Sequence, residues 1–218
     1  MGVLSTDSGE FLDIPATVEF NRCIRRNEVR IMMYFVDALN GRDGYDGRTP
    51  LTPWQTLEKV NATVFAPGDE IRFRCGCTFR GQLRPQGDGT AEAPIRIGTY
   101  GGGEKPIIDA GGTHGTREGD FVDGAAVLFY NRNYWELEGL EIVNHNPYYK
   151  QEYVHELHPH THSVFKKSPE NRYRYGVLIR WHNYGTGHHI HIKDCYIHDI
   201  NGECSRFCAE GVLVVSTG

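Results

Sequence analysis

One pattern of apolar and polar positions occurs twice in this chain. Residues 126–144 read AVLFYNRNYWELEGLEIVN, and residues 176–199 read GVLIRWHNYGTGHHIHIKDCYIHD. With Leu128 aligned on Leu178, the two copies stay in register after a short insertion that follows Asn183. A third copy, GVLVV, begins at Gly211. Equivalent residues recur in the same order, so we expect successive copies to stack as parallel strands in a solenoid.

The alignment also separates inward from outward positions. Apolar residues alternate with polar ones, which is the period of a half-buried strand. The aligned pairs are Trp135 with Ile190, Leu137 with Ile192, Leu140 with Cys195, Ile142 with Ile197, and Asn144 with Asp199. We therefore expect Trp135 and Cys195 in the core and His191, His198 and Asp199 on the outer surface.

Shorter elements precede the repeats. The pattern predicts a strand at 31–37, a turn-rich Asn/Gly/Asp/Pro loop, a short helix within 54–64 and strands at 93–98 and 106–109. Alternation of Ile71, Phe73, Cys75 and Cys77 predicts one further strand. Residues 145–175 lack a clear period, so we interpret them as a long loop inserted between two repeats.

Composition supports many short strands joined by turns, with 26 glycines and 39% hydrophobic residues. The net charge of -5 makes nucleic acid an unexpected partner, since that binding needs a basic face. No apolar run reaches the length of about 18 residues that a membrane-spanning helix needs. Residues 1–30 show no secretory signal and are interpreted as a poorly specified leader.

Several segments resemble the N-terminal part of the right-handed parallel β-helix proteins of the pectate lyase-like superfamily. They are YFVDALNGRDGYDG, PWQTLEKVN, PGDEIRFRCGCTFRGQL, GTAEAPIRIGTYGGGEKPIIDAGG, IVNHN and YIHDING. The resemblance implies an all-β, right-handed parallel β-helix over 31–218, with a helix-containing cap at 31–66 and rungs at 69–218. Because members of that superfamily usually have more rungs, it also implies a fragment that is incomplete at its C-terminal end.

The same resemblance implies a carbohydrate-active protein, either a polysaccharide lyase or a glycoside hydrolase, acting on plant, algal or host glycans. Its partner would be a polysaccharide or oligosaccharide, and its location secreted, periplasmic or at the cell surface. The alternatives are a non-catalytic glycan-binding or adhesin-type β-helix and a structural module, because one fold supports many functions.

Four outward residues are the catalytic candidates: Lys193, His198, Asp199 and Glu210. A lyase needs a base and a cation that stabilises the developing anion, which Lys193 or His198 could supply. A glycosidase needs two carboxylates, and we expect Asp199 and Glu210 on neighbouring rungs, about 4.8 Å apart. The alternative is that Asp199 only stabilises a turn, as Asn144 would in the preceding copy.

The candidates for substrate binding are Trp181, Arg180, His191 and Tyr149. An exposed Trp181 and neighbouring tyrosines such as Tyr184 could stack on sugar rings through their apolar faces. The alternative is that these aromatic residues belong to the core or to an ordinary polar surface.

Two loops contain candidates for metal binding. Asp43 and Asp46 offer oxygen atoms at short spacing, which is compatible with calcium. His158 and His160 alternate in a histidine-rich segment, and imidazole is a ligand for zinc or copper. The alternatives are turn-forming carboxylates in the first loop and a polar surface in the second.

Overall fold

The described part of the chain consists mainly of short parallel strands. A computed structural model describes residues 31–116, 124–148, 154–157, 164–167, 172–201 and 209–217. The elements, in chain order, are β1 Met33–Val36, α1 Leu57–Asn61, β2 Glu70–Arg74, β3 Thr78–Arg80, β4 Ile95–Tyr100, β5 Ile107–Asp109, β6 Gly115–Thr116, β7 Ala125–Tyr130, β8 Trp135–Glu138, β9 Glu141–Asn144, β10 Val154–Leu157, β11 Val164–Lys167, β12 Arg172–His182, β13 Ile190–Lys193, β14 Tyr196–Ile200 and β15 Ala209–Thr217.

Most of these strands form three parallel sheets. The first sheet has the order β1-β2-β4-β8-β13, and the second has the order β3-β5-β9-β14. The third sheet places β12 between β7 and β15, all parallel, and β6 pairs antiparallel with the start of β12. Strands β10 and β11 form a separate antiparallel pair inside the predicted 145–175 insertion.

The register of the sequence repeat is confirmed at most positions. Leu178 pairs with Leu128 on one side and with Leu213 on the other, so all three copies align as predicted. Ile190 pairs with Trp135, and likewise Ile192 with Leu137 and Ile197 with Ile142. The side-chain period of two fixes this register, because a slip of one residue would turn the apolar set outward.

The predicted alignment of Asn144 with Asp199 is wrong. The register shifts between His198 and Ile200, so Asn144 pairs with Ile200 instead. Asp199 has a φ of 52°, in the left-handed region that Asp and Asn tolerate better than most residues. A local irregularity of this kind leaves one residue unpaired, and the simple spacing of the sequence does not reveal it.

Sharp corners divide segments that the sequence pattern joins. The single strand predicted through Ile71 and Cys77 is instead β2 and β3, because the chain turns between them at Gly76, which has a φ of 75°. The predicted helix is also shorter than expected. Trp54 pairs with Val36 before the helix begins, and the Thr56 side chain caps α1 by accepting a hydrogen bond from the Lys59 N–H.

A continuous apolar core lies between the sheets. It includes Trp54 and Leu57 near the N-terminal end and continues through the fully buried Trp135 to Val177. Trp135 donates its indole N–H to the Gly87 carbonyl oxygen at 3.0 Å, so its one polar group is satisfied. Trp135 is therefore in the core, as the sequence predicts, and Cys195 is partly buried against the same core.

A mostly β fold with little helix and with parallel sheets is therefore confirmed, and the closed right-handed solenoid is not shown by the residues described. Any stack of parallel sheets needs rows of aliphatic side chains that point inward. The repeat therefore predicts which strands pair, but it does not show that the sheets close into a solenoid. Within the described ranges, no helix has both the length and the apolar composition needed to cross a membrane. Residues 1–30, which the sequence analysis interprets as a leader, lie outside those ranges.

Candidate functional site

An imidazole held between two carboxylates lies on the outer face of the second sheet. We call Glu141, Tyr196, His198 and Asp199 the His198 cluster. In β9 and β14, Ile142 pairs with Ile197 on the core side, so strand alternation directs Glu141, Tyr196 and His198 outward. Neighbouring strands therefore bring together residues that are more than fifty positions apart in sequence.

Both ring nitrogens of His198 have a carboxylate partner. The Nε2 atom lies 3.0 Å from Glu141 Oε1, and the Nδ1 atom lies 3.2 Å from Asp199 Oδ2. The Tyr196 ring stacks on the imidazole with centroids 4.1 Å apart. These contacts fix the ring orientation, while the Asp199 side chain stays 68% exposed. A carboxylate held in this way and open to solvent can exchange a proton with a bound substrate.

The other two catalytic candidates lie on other sheets. Lys193 is in the first sheet, where its Nζ atom lies 2.9 Å from Glu138 Oε1 and 3.7 Å from Asp194 Oδ2. The Glu138 carboxylate raises the pKa of Lys193, which keeps this side chain charged. Glu210 is in β15 of the third sheet, opposite Tyr175. The structure thus brings His198 and Asp199 together, while Lys193 and Glu210 belong to strands of other sheets.

His191 belongs to a ladder of charged and polar side chains on the first sheet. Cross-strand pairing aligns Glu70, Arg96, Glu136 and His191. Arg96 Nε donates to Glu136 Oε2 at 2.8 Å, and His189 Nε2 lies 3.4 Å from the other oxygen. Burial would raise the pKa of Glu136, but Arg96 and His189 outweigh burial and lower it. The ladder therefore has a clear structural role, since opposite charges stabilise neighbouring strands.

Among the candidates for substrate binding, Trp181 is half-buried against the core. Its indole N–H lies 3.0 Å from the Arg132 carbonyl oxygen and 3.2 Å from Asn133 Oδ1. Arg180 lies over the Tyr130 ring, with 5.8 Å between the guanidinium carbon and the ring centroid. Tyr149 lies outside the described residues.

The carboxylates of the first predicted metal loop accept hydrogen bonds from that loop. Asp43 accepts from the Gln55 N–H, the Thr56 N–H and the Thr56 hydroxyl at 2.8, 3.0 and 2.6 Å. Asp46 accepts from the Arg48 N–H and the Thr52 hydroxyl at 3.1 and 2.7 Å. These bonds favour the turn-forming alternative over calcium.

No group of three or more metal-ligating side chains with suitable geometry occurs in the described part of the chain. His158 and His160, the candidates in the second loop, lie outside that part.

Tyr196 is a member of the His198 cluster that the sequence argument did not select. The available signal was its spacing, because Tyr196 and His198 are two apart in one strand and therefore share the outer face. Glu141 was among the acidic residues of the repeat, yet only the pairing of β9 with β14 shows that it contacts His198.

Comparison with known proteins shows similarity to glycosidases. No family model matches the chain. It is 27% identical over 192 residues to a lacto-N-biosidase of Bifidobacterium longum subsp. longum, a match that covers 78% of this chain and 12% of that protein. The selenomethionine crystal structure of the GH136 lacto-N-biosidase from Eubacterium ramulus matches with a TM-score of 0.64 and 28% identity. The native crystal structure of that enzyme matches with a TM-score of 0.61 and 28% identity.

The chain spans only part of each relative. Both crystal-structure matches cover 85% of this chain and 30% of the solved chain. These findings correct the resemblance to the pectate lyase-like superfamily, because the similarity is to GH136 lacto-N-biosidases. The error has a physical cause: Asp/Gly turns and inward aliphatic ladders are requirements of stacked parallel strands, so unrelated families share them.

Proposed function

We propose that this chain is part of a glycoside hydrolase that acts on oligosaccharides. The observation that carries the proposal is the similarity to GH136 lacto-N-biosidases at 28% identity over 85% of the chain. The same similarity favours a hydrolase over a polysaccharide lyase. For the substrate, we propose a glycan that contains lacto-N-biose, the disaccharide after which these relatives are named.

Within the described residues, the His198 cluster is our proposed location for acid–base chemistry. Glycosidases generally use a carboxyl group to protonate the leaving oxygen and a second carboxyl group as base or nucleophile. Asp199 is the more exposed carboxylate of the cluster, at 68% against 25% for Glu141. We assign Asp199 to contact with the glycosidic oxygen and His198 to positioning that carboxylate. Glu141 then fixes the imidazole from the opposite side.

The test uses the full-length protein and an aryl lacto-N-bioside, with release of the aryl alcohol as the readout. We expect hydrolysis by the unmodified protein and a fall in kcat of about 100-fold or more for Asp199→Asn, the range usual for loss of an acid–base group. His198→Gln should lower kcat less, and it should alter the pH profile because the imidazole no longer holds Asp199.

Asp194→Asn is the matched control, because Asp194 is an exposed aspartate that lies close in sequence and outside the cluster. Its activity should stay within about twofold of the unmodified protein. Absence of hydrolysis by the unmodified protein would contradict the hydrolase, and saccharide binding without hydrolysis would support the glycan-binding alternative. Full activity of Asp199→Asn would contradict the assignment of the cluster while leaving the hydrolase intact.

A further inference from the structure

We propose that a second saccharide site, selective for an uncharged sugar, lies where the third sheet leads into the first. This inference deepens the proposed function and rests on it. The site, which we call the Tyr184 corner, consists of Gln86, Asp88, Arg132, Asn133, Trp181 and Tyr184. These residues come from three segments that follow one another at the same edge of the stacked sheets.

Short hydrogen bonds make a firm frame for this corner. The Asn133 N–H donates to Asp88 Oδ1 at 2.7 Å, and Asn133 Oδ1 accepts from the His188 N–H at 2.7 Å. The Trp181 indole N–H donates to the Arg132 carbonyl oxygen at 3.0 Å. All three segments are therefore linked before any ligand binds. This lowers the free energy that would be lost in ordering these residues when a ligand binds.

The side-chain contacts that face outward are much longer. Arg132 Nη1 lies 3.4 Å from Asp88 Oδ2, and Arg132 Nη2 lies 3.4 Å from Gln86 Oε1. The Tyr184 hydroxyl lies 3.5 Å from Asp88 Oδ2 and 3.3 Å from Asn133 Nδ2. Such bonds are normally about 2.7–3.2 Å, so these four are weak. Hydroxyl groups of a sugar can make additional, shorter bonds to the same donors and acceptors, because these groups can each take part in more than one hydrogen bond.

An aromatic ring is available beside these polar groups. Tyr184 is 37% exposed, and its hydroxyl lies beside Asp88 and Asn133 at the edge of the corner. Burial raises the pKa of the Tyr184 phenol, and the Asp88 carboxylate raises it further, so the phenol stays neutral at physiological pH. An aromatic face next to paired hydrogen-bonding groups suits the apolar face and hydroxyl edge of a sugar ring.

The charge of the corner indicates which sugars it can bind. Asp88 and Arg132 form an ion pair with side chains only 36% and 23% exposed, so their charges offset each other. A ligand with its own carboxylate or sulfate would approach Asp88 with the same sign of charge and would gain little from a paired Arg132. The corner therefore favours a neutral saccharide, which would bind as a further part of the glycan.

The site is tested by titrating the full-length protein with saccharides that it should not consume, since the proposed hydrolase releases lacto-N-biose as a product. The neutral probe is lacto-N-biose and the acidic probe is digalacturonic acid, followed by calorimetry and by Trp fluorescence. We expect saturable binding of the neutral probe and weaker binding of the acidic one. Tyr184→Ala should raise Kd about tenfold, corresponding to about 1.4 kcal/mol.

Tyr148→Ala is the matched control, since Tyr148 is 88% exposed and belongs to neither site, and its Kd should equal that of the parent. Asp88→Asn provides a second variant that retains the ring, and it should also raise Kd severalfold. Equal affinity of Tyr184→Ala and the parent, tighter binding of the acidic probe, or no saturation at millimolar concentration would each overturn the proposal. Hydrolysis of the aryl substrate by the unmodified protein is measured separately, so a failed hydrolase and a failed corner give different results.

Discussion

Individual carboxylates hold the N-terminal loops of this protein in place. Asp37 is buried. Its carboxylate accepts hydrogen bonds from the backbone N–H groups of Leu39 and Asn40, from the Asn40 side-chain amide and from Arg74 Nη1. Burial alone would raise the pKa of Asp37, but the bond from Arg74 and those from Asn40 and Leu39 outweigh it and lower the pKa to about 2. Its charged form therefore stabilises the fold.

This pKa shift predicts how stability depends on pH. The pKa of Asp37 falls from 3.8 to about 2 on folding, which amounts to about 2 kcal/mol of stability. Because the folded value is the lower one, this contribution is complete above about pH 4 and is lost as the pH falls through about 2. We expect Asp37→Asn to lower the free energy of unfolding at pH 7 by about this amount.

Denaturant unfolding at several pH values between 7 and 2 provides the measurement. The difference in free energy of unfolding between Asp37→Asn and the unmodified protein should decrease steadily below pH 4. Asp194→Asn is the control, because Asp194 is 67% exposed and should show little change at any pH. If this difference stays constant down to pH 2, the loss of stability in Asp37→Asn does not come from the charge of Asp37, and the prediction is contradicted.

Among the elements, the corners between sheets depend on residues that tolerate the left-handed region. Gly76 separates β2 from β3, Gly139 separates β8 from β9, and Asp194 separates β13 from β14. Their φ values are 75°, 79° and 50°. Non-glycine residues in this region are strained, although Asp tolerates it better than most, so the chain can use Asp194 where the preceding copy has glycine.

We predict that Gly139→Ala destabilises the protein by about 1 kcal/mol. A β-carbon at this position would lie 3.3 Å from Thr99 Cγ2, and the left-handed φ adds strain. The matched control is Gly102→Ala, where an added β-carbon has no neighbour within 4 Å and no left-handed φ is required. Urea unfolding of both variants checks the prediction, and equal stability of the two would contradict it.

At the scale of the whole molecule, one apolar cluster links the α1 region to the last repeats. Leu57 in α1, Leu137 in the first sheet and Ile179 in the third sheet all belong to it. Because these side chains pack in one continuous cluster, the described sheets should lose their structure together. Local loss of one strand would expose apolar groups on the strands that pair with it on either side.

We therefore expect Leu57→Ala and Leu137→Ala to shift one common unfolding transition. Both side chains are almost fully buried, so each truncation should cost about 2–5 kcal/mol through lost contacts and a cavity. Leu51→Ala is the control, because Leu51 is 89% exposed and should have little effect. Near- and far-UV circular dichroism should give coincident transitions, and separate transitions for the two probes would contradict a single cooperative core.

The sequence by itself determined the strand pairing across the repeats, because the aligned copies set the register and a slip of one residue would turn the apolar face outward. Leu128, Leu178 and Leu213 illustrate this, and so do Trp135 and Ile190. The apolar pattern did not reveal the positions where the backbone turns. Gly76 was therefore predicted inside a strand, and Asp199 was aligned with Asn144.

Only the tertiary structure decided which polar side chains meet. Glu141 contacts His198, and Asp88 contacts Arg132 and Tyr184, across more than forty residues in each case. Such contacts depend on which outward positions become neighbours when strands and corners stack, and on irregularities such as the shift at Asp199. Hydrophobic periodicity specifies the buried face of a strand, but the partners of its outer face are set by the stacked neighbours.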